Sequence, residues 1–235
     1  MEQVKTMLRM KANKKLLQQH IRKETGRCSF EVVEKEGVLQ ALFYQRTEWQ
    51  HIYKKYPEVI LIDATYKLND LRMPLYLILC VDGNGESEVV AMWLVSSEDK
   101  VTMKAMIGFF IKHNGGEKTT CVMANKDWVE RDVIKEELPH ASLLICLFHM
   151  LRSFCREVSE KSMCFTQDQR QQALEFLERL AYSANEQQYF KHRDALLALG
   201  LHNVIDYFLK QWDNIRHEWV EGLKKQCQPF VEQYQ

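Results

Sequence analysis

Val59-Ile60-Leu61-Ile62-Asp63-Ala64-Thr65-Tyr66-Lys67-Leu68-Asn69 decides how this chain is read. Its first four residues are β-branched or Leu, the make-up of a strand buried in a sheet. The run closes on a carboxylate, Asp63, at the place where a two-metal phosphoryl-transfer site holds its first ligand. A second carboxylate is expected at the end of a neighbouring strand, and there the sequence reads Val122-Met123-Ala124-Asn125-Lys126-Asp127. An amide occupies position 125. The pair Asp63 and Asn125 therefore reads as a metal site that has lost a charge.

Outward from Asp63 the pattern is that of alternating strands and helices. Gly37–Gln45 reads as a strand, followed by a short helix through Trp49, Ile52 and Tyr53 that ends at Pro57. Met73–Val81 is apolar on both faces. Asp82-Gly83-Asn84-Gly85 is a hairpin turn, because Gly and Asn accept positive φ, and Glu88–Ser96 returns as its partner strand. Residues 98–112 carry apolar side chains at helical spacing, and Asn114-Gly115-Gly116 stops them. Thr119–Ala124 is a strand, Asp127–Glu137 a helix, and Ser142–Cys146 a last strand after Pro139. The order β-β-β-α-β-α-β predicts a mixed α/β sheet flanked by helices. Residues 149–235 read as helical, with a polar, fraying end at 226–235. Tyr207, Phe208, Trp212 and Trp219 there either close the tail onto the sheet or present an interaction face. Residues 4–27 read as a basic helix. The chain thus divides into an N-terminal helical arm (1–36), a core (37–158) and a helical region (159–235).

With 235 residues, 46% of them hydrophobic and 27% charged, the chain can bury a sizeable core. Lys+Arg and Asp+Glu balance at 32 each, so no global field recruits nucleic acid or membrane. No apolar run approaches the ~20 residues of a membrane helix. No charged-then-apolar leader opens the chain. Seven scattered cysteines without CxC or CxxC spacing suit a reducing compartment, nucleus or cytosol. The absence of a glycine-rich phosphate loop leaves nucleotide hydrolysis unsupported. A local exception to the charge balance is residues 5–27, with eight Lys or Arg and one acid. There Lys11, Lys14, Lys15, Arg22 and Lys23 are candidate nucleic-acid contacts, and the alternative is a solvated helix face. DNA binding through this arm should weaken steeply with salt.

The ordered set Asp63-x-Thr65-Tyr66-Lys67-x-Asn69, Pro74-Leu75, Glu98 before a helix and Cys146-x-x-His149 resembles the transposase domain of Mutator-like elements. It is more closely similar to SWIM zinc-finger-containing proteins of types 1 and 3, over roughly residues 12–223. That resemblance implies a ribonuclease H-like fold and a site for Mg2+ or Mn2+ built from three acids. The first acid falls on Asp63 and the second on Asn125. No stretch matches the context of the third, although Glu175, Glu178, Glu186 and Glu221 lie on helical segments. Asp127 either substitutes for the missing charge or caps the helix that follows it. The SWIM finger, a CxC with a downstream CxH, does not occur in these 235 residues, which implies a truncated form or a relative that lost it. Cys146 and His149 form half a zinc site by spacing, and Cys121 is a possible third ligand. A structural zinc wants four, and the competing reading is a buried Cys followed by a helix-start His.

These readings converge on a transposase-derived protein without catalysis or cofactor, acting in the nucleus on DNA, chromatin proteins or a protein scaffold. The alternatives are a metal-dependent nuclease using Asp63 and Asp127, and a cytoplasmic location.

Overall fold

The computed structural model describes residues 28–36, 38–67, 72–159 and 166–224, which fall into two compact units divided between Leu143 and Leu144. The first unit is built on a seven-stranded sheet. Its strands are β1 (Cys28–Lys35), β2 (Val38–Arg46), β3 (Val59–Thr65), β4 (Leu75–Val81), β5 (Ser87–Val95), β6 (Cys121–Ala124) and β7 (Ser142–Ile145). They lie in the order β1-β2-β5-β4-β3-β6-β7. Antiparallel pairing runs from β1 through to β3, and β6 joins β3 in parallel. The mixed α/β sheet expected from the sequence is present.

Alternation along each strand sorts the core. Ile60 and Ile62 of β3 share a face with Tyr76, Ile78 and Cys80 of β4 and with Ala91 and Trp93 of β5. Three helices cover that face: α1 (Thr47–Lys55), α2 (Lys100–Asn114) and α3 (Trp128–Glu137). They contribute Tyr53, Met103, Met106, Ile107, Phe110, Val133 and Ile134 to one buried cluster. On the other face Phe30, Leu42, Tyr44 and Leu94 gather with Met73. Asp63 is paired with Leu77, out of phase with Ile62 and Tyr76, and so points to this second face. The β4–β5 turn forms as the sequence predicts. Asp82 accepts the backbone N–H of Asn84 and of Glu86, and Gly85 takes φ +86°.

Two boundaries differ from the sequence reading. The sequence pattern places residues 28–35 in a helical arm ending at 36, yet they form β1, paired with β2 from Cys28↔Arg46 to Lys35↔Val38. The alternation of Phe30, Val32 and their neighbours across the pleat, beside a strong partner strand, outweighs continuity with the basic segment before them. The core was drawn to residue 158, but α4 (Leu147–Glu157) gives Met150 and Phe154 to the second unit's core. The predicted helix at 4–27 and the fraying end at 226–235 lie outside the described residues.

The second unit continues with α5 (Gln167–Ala181), α6 (Glu186–Ala198), α7 (His202–Gln211) and two 3-10 turns, Asp213–Glu218 and Glu221–Leu223. Thr166 opens α5 with a capping box to Gln169. Phe154, Leu177, Tyr189, Leu196, Phe208, Trp212 and Trp219 form its buried centre. Gly222 packs onto the chain at Ala184, where an added Cβ would lie 2.0 Å from the backbone carbonyl carbon, and its N–H donates to Ser183 O. Only glycine fits there. No helix among the described residues is long and apolar enough to cross a membrane.

Candidate functional site

The parallel pairing of β3 with β6 runs Val59↔Cys121, Ile60↔Val122 and Leu61↔Met123. Continued by two residues, it places Asn125 level with Asp63. The fold therefore sets the two sequence candidates at adjacent strand ends, which is where a ligand approaches an α/β sheet. Asp63 and Asn125 are both half-buried. The Oδ1 of Asn125 is buried and takes no hydrogen bond from any described residue.

Asp127 is the N-cap of α3, and its Oδ1 accepts the backbone N–H of Glu130 at 2.9 Å. Of the two roles left open by the sequence, the structure has the cap. A carboxylate there satisfies an orphan helix donor and complements the positive end of the helix.

Two acids carry more of the site than the sequence reading gave them. Glu98, between β5 and α2, accepts hydrogen bonds from the hydroxyls of Tyr66, at 2.8 Å, and Tyr76. Both phenols are pushed far above their ordinary range, by burial first and by the hydrogen bond to Glu98 next. Glu130, on α3, is only 2% exposed. Burial pushes its carboxyl up to about 8, and the charges of Asp127, Glu98 and Asp63 add to this against the opposing pull of Arg131. Its Oε1 accepts nothing from any described residue. Periodicity carried the signal for Glu130. It precedes Val133 and Ile134 by three and four residues, on the stripe of α3 that faces the sheet. An acid on an apolar stripe marks a buried carboxyl. Glu98 gave no such sign, since it lies in a loop whose partners come from β4 and from beyond β3.

A pair of divalent ions does not fit these residues. Position 125 is an amide, Asp127 is engaged as a cap, and Asp63 points to the opposite face from Tyr76. Among the described residues no group of three or more His, Cys, Asp or Glu side chains could hold a metal ion. Cys146 precedes α4 as its N-cap residue without a side-chain cap bond, and His149 meets the ring of Phe148 edge-on. Both belong to the second unit, whereas Cys121 is buried in β6 of the first. Of the third-acid candidates, Glu175 accepts from Gln171 and pairs with Arg179 on α5. Lys11, Lys14, Lys15, Arg22 and Lys23 lie outside the described residues.

Comparison with known proteins places this geometry. Residues 18–144 match the family described as zinc finger SWIM domain-containing protein 1/3, RNaseH-like domain. The human "Uncharacterized protein ZSWIM9" is 22% identical over 191 residues, covering 80% of this chain and 30% of that protein. "Protein FAR-RED IMPAIRED RESPONSE 1" of Arabidopsis thaliana is 24% identical over 133 residues, covering 56% of this chain and 16% of that protein. The chain thus spans less than a third of the length of either relative. With its mixed sheet and the match over more than half its length, the chain belongs to the zinc finger SWIM domain-containing protein 1/3 family through its RNaseH-like domain, a transposase-derived lineage related to Mutator-like elements.

Proposed function

We propose that this protein is a domesticated, catalytically inactive descendant of a transposase that acts in the nucleus by binding macromolecules, DNA or chromatin proteins. The observation that carries the reading is Asn125, an amide level with Asp63 where a two-metal centre needs a full negative charge. At an effective dielectric of about 20, one unit charge at 4 Å from another is worth about 4 kcal/mol. Losing it beside a divalent ion costs several kcal/mol on the same scale, and two cations repel unless carboxylates lie between them. The cap role of Asp127 supports the same reading, since its Oδ1 is held by Glu130 N–H.

Calorimetric titration of manganese into the chain and into Asn125→Asp, with a DNA-cleavage assay alongside, tests it. The parent is expected to take up no ion and to leave DNA intact, and Asn125→Asp to take up one ion. Two ions bound by the parent with cleavage of DNA would overturn the reading in favour of a nuclease through Asp63 and Asp127.

A further inference from the structure

The first unit's sheet is buried on two faces, and its helices account for one of them. On the face carrying Ile60, Ile62, Tyr76 and Trp93 lie side chains of α1, α2 and α3. On the other, Phe30, Leu42, Tyr44, Met73 and Leu94 are only 4–7% exposed. Cys28, Val32, Leu39, Leu75 and Met92 pack against them, all from β1, β2, β4 and β5. A single helical residue joins this cluster among the described residues: Trp49 of α1, edge-on to Tyr44 at 5.7 Å between ring centroids. Exposure this low across several strands calls for a layer over the sheet. Each large apolar side chain left open would forfeit about 1.5–3 kcal/mol.

The chain itself holds a segment of the right length in the right place. Residues 1–27 are the longest stretch outside the described residues, and they lead directly into Cys28, the first residue of the edge strand β1. Gly26 permits the chain reversal that a return across the sheet needs. Met7, Met10, Leu17 and Ile21 recur at the spacing of one helix face. Lys14 interrupts that stripe, and its stem can lie along apolar surface with the ammonium in water. From residue 7 to residue 21 such a helix is about 21 Å long. The strands of the cluster, in the order β1-β2-β5-β4, are together about 14 Å across. Lys5, Arg9, Lys11, Lys15, Arg22 and Lys23 fall on the opposite side of the helix.

We propose that residues 4–27 lie across this second face as a helix, closing it with Met7, Met10, Leu17 and Ile21 and turning the basic side away from the sheet. The arm is then part of the first unit, and the side it leaves for any partner is the positively charged one. This cover goes beyond the binding reading and holds whether or not the protein binds DNA.

p-Benzoyl-L-phenylalanine placed at Leu17 of the full chain, followed by irradiation and peptide mapping, tests it. The cross-link is expected within one chain, to residues 28–46 or 87–95. The same probe at Lys15, about 160° away around the helix, is expected to give about tenfold less of that product. Alkylation by iodoacetamide supplies a second readout. Leu17→Glu/Ile21→Glu is expected to raise the rate at Cys28, half-buried beside the cluster, by about tenfold. Cys80, buried on the first face, is expected to keep its parent rate. A Leu17 cross-link to a second copy of the chain, to residues 144–235, or to nothing overturns the proposal. So do equal yields from positions 17 and 15, or Cys28 labelling that ignores the variant. If Cys80 quickens with Cys28, the variant has unfolded the unit and the cross-link alone decides.

Discussion

Glu130→Gln is expected to stabilise the protein at pH 9 by a few kcal/mol while changing it little at pH 4. The carboxyl of Glu130 is raised to about 8 in the folded chain from an ordinary 4.5, by burial first and then by Asp127, Glu98 and Asp63. Below pH 4.5 folded and unfolded chains both hold the proton, and the group contributes no pH dependence. Between 4.5 and 8 the unfolded chain releases the proton and the folded chain keeps it. Each pH unit in that window then lowers stability by up to about 1.4 kcal/mol, and above 8 the loss levels off. Gln is neutral throughout and has no such slope. Relaxation around a newly charged Glu130 trims the full loss to about 2–4 kcal/mol. Denaturant midpoints of parent and variant, taken at pH 5, 7 and 9, should separate progressively as pH rises. Parallel curves would mean that Glu130 titrates as an exposed glutamate does, and that the cluster around it is not a buried one.

That prediction turns on a residue that helical periodicity marks as buried, while the acids that act on it, Asp127, Glu98 and Asp63, are brought to it by the fold. Asp63 and Asn125 were legible because a strand end is a local feature, and an acid after Val-Ile-Leu-Ile stands out against its neighbours. Their pairing came from the resemblance to Mutator-like transposases and not from chain order, because β4, β5 and α2 lie between β3 and β6. The hairpin at Asp82–Gly85 was equally local. By contrast β1 was missed because its strand character depends on β2 as a partner, and the sequence before Cys28 carries a helical, basic pattern that runs into it. Glu98 acquires its role from Tyr66 and Tyr76, respectively 32 and 22 residues away. A loop acid bonded to two tyrosines has no periodicity for a sequence to show. The end of the first unit near Leu143 escaped for a similar reason. The helix at Leu147–Glu157 continues the chain directly from β7, and only packing assigns Met150 and Phe154 to the second core.

Trp219→Ala is expected to cost about 3–5 kcal/mol and to unravel the second unit's centre. The sequence left two roles open for the aromatics of this region, closure or an exposed interaction face. Phe208, Trp212 and Trp219 are all fully buried, which removes the exposed face, but they pack in the helical unit's own centre with Phe154, Leu177 and Tyr189 rather than in the sheet's cluster as the sequence reading had it. Trp219 meets Trp212 at 5.8 Å and Phe154 at 6.1 Å between ring centroids, both edge-to-face, and Tyr189 at 6.2 Å. Its Nε1 donates to the backbone carbonyl of Trp212 at 2.9 Å in a buried setting. Truncation removes both kinds of contact: it leaves a large cavity between α4, α6 and the 3-10 turn, and strips the Trp212 carbonyl of a donor. The two losses can be separated. Trp219→Phe keeps a buried aromatic ring while deleting the donor and the smaller part of the packing, which should cost about 1–2 kcal/mol. Denaturant midpoints read by far-ultraviolet circular dichroism, with near-ultraviolet spectra for the aromatic environment, rank the three proteins. The expected order is parent, then Phe, then Ala, with the near-ultraviolet signal of Trp212 collapsing in the last. A Trp219→Ala variant within 1 kcal/mol of the parent would mean that the ring is not part of a packed centre. Residues 166–224 would then be a loosely ordered tail, able to turn these aromatics outward toward a partner.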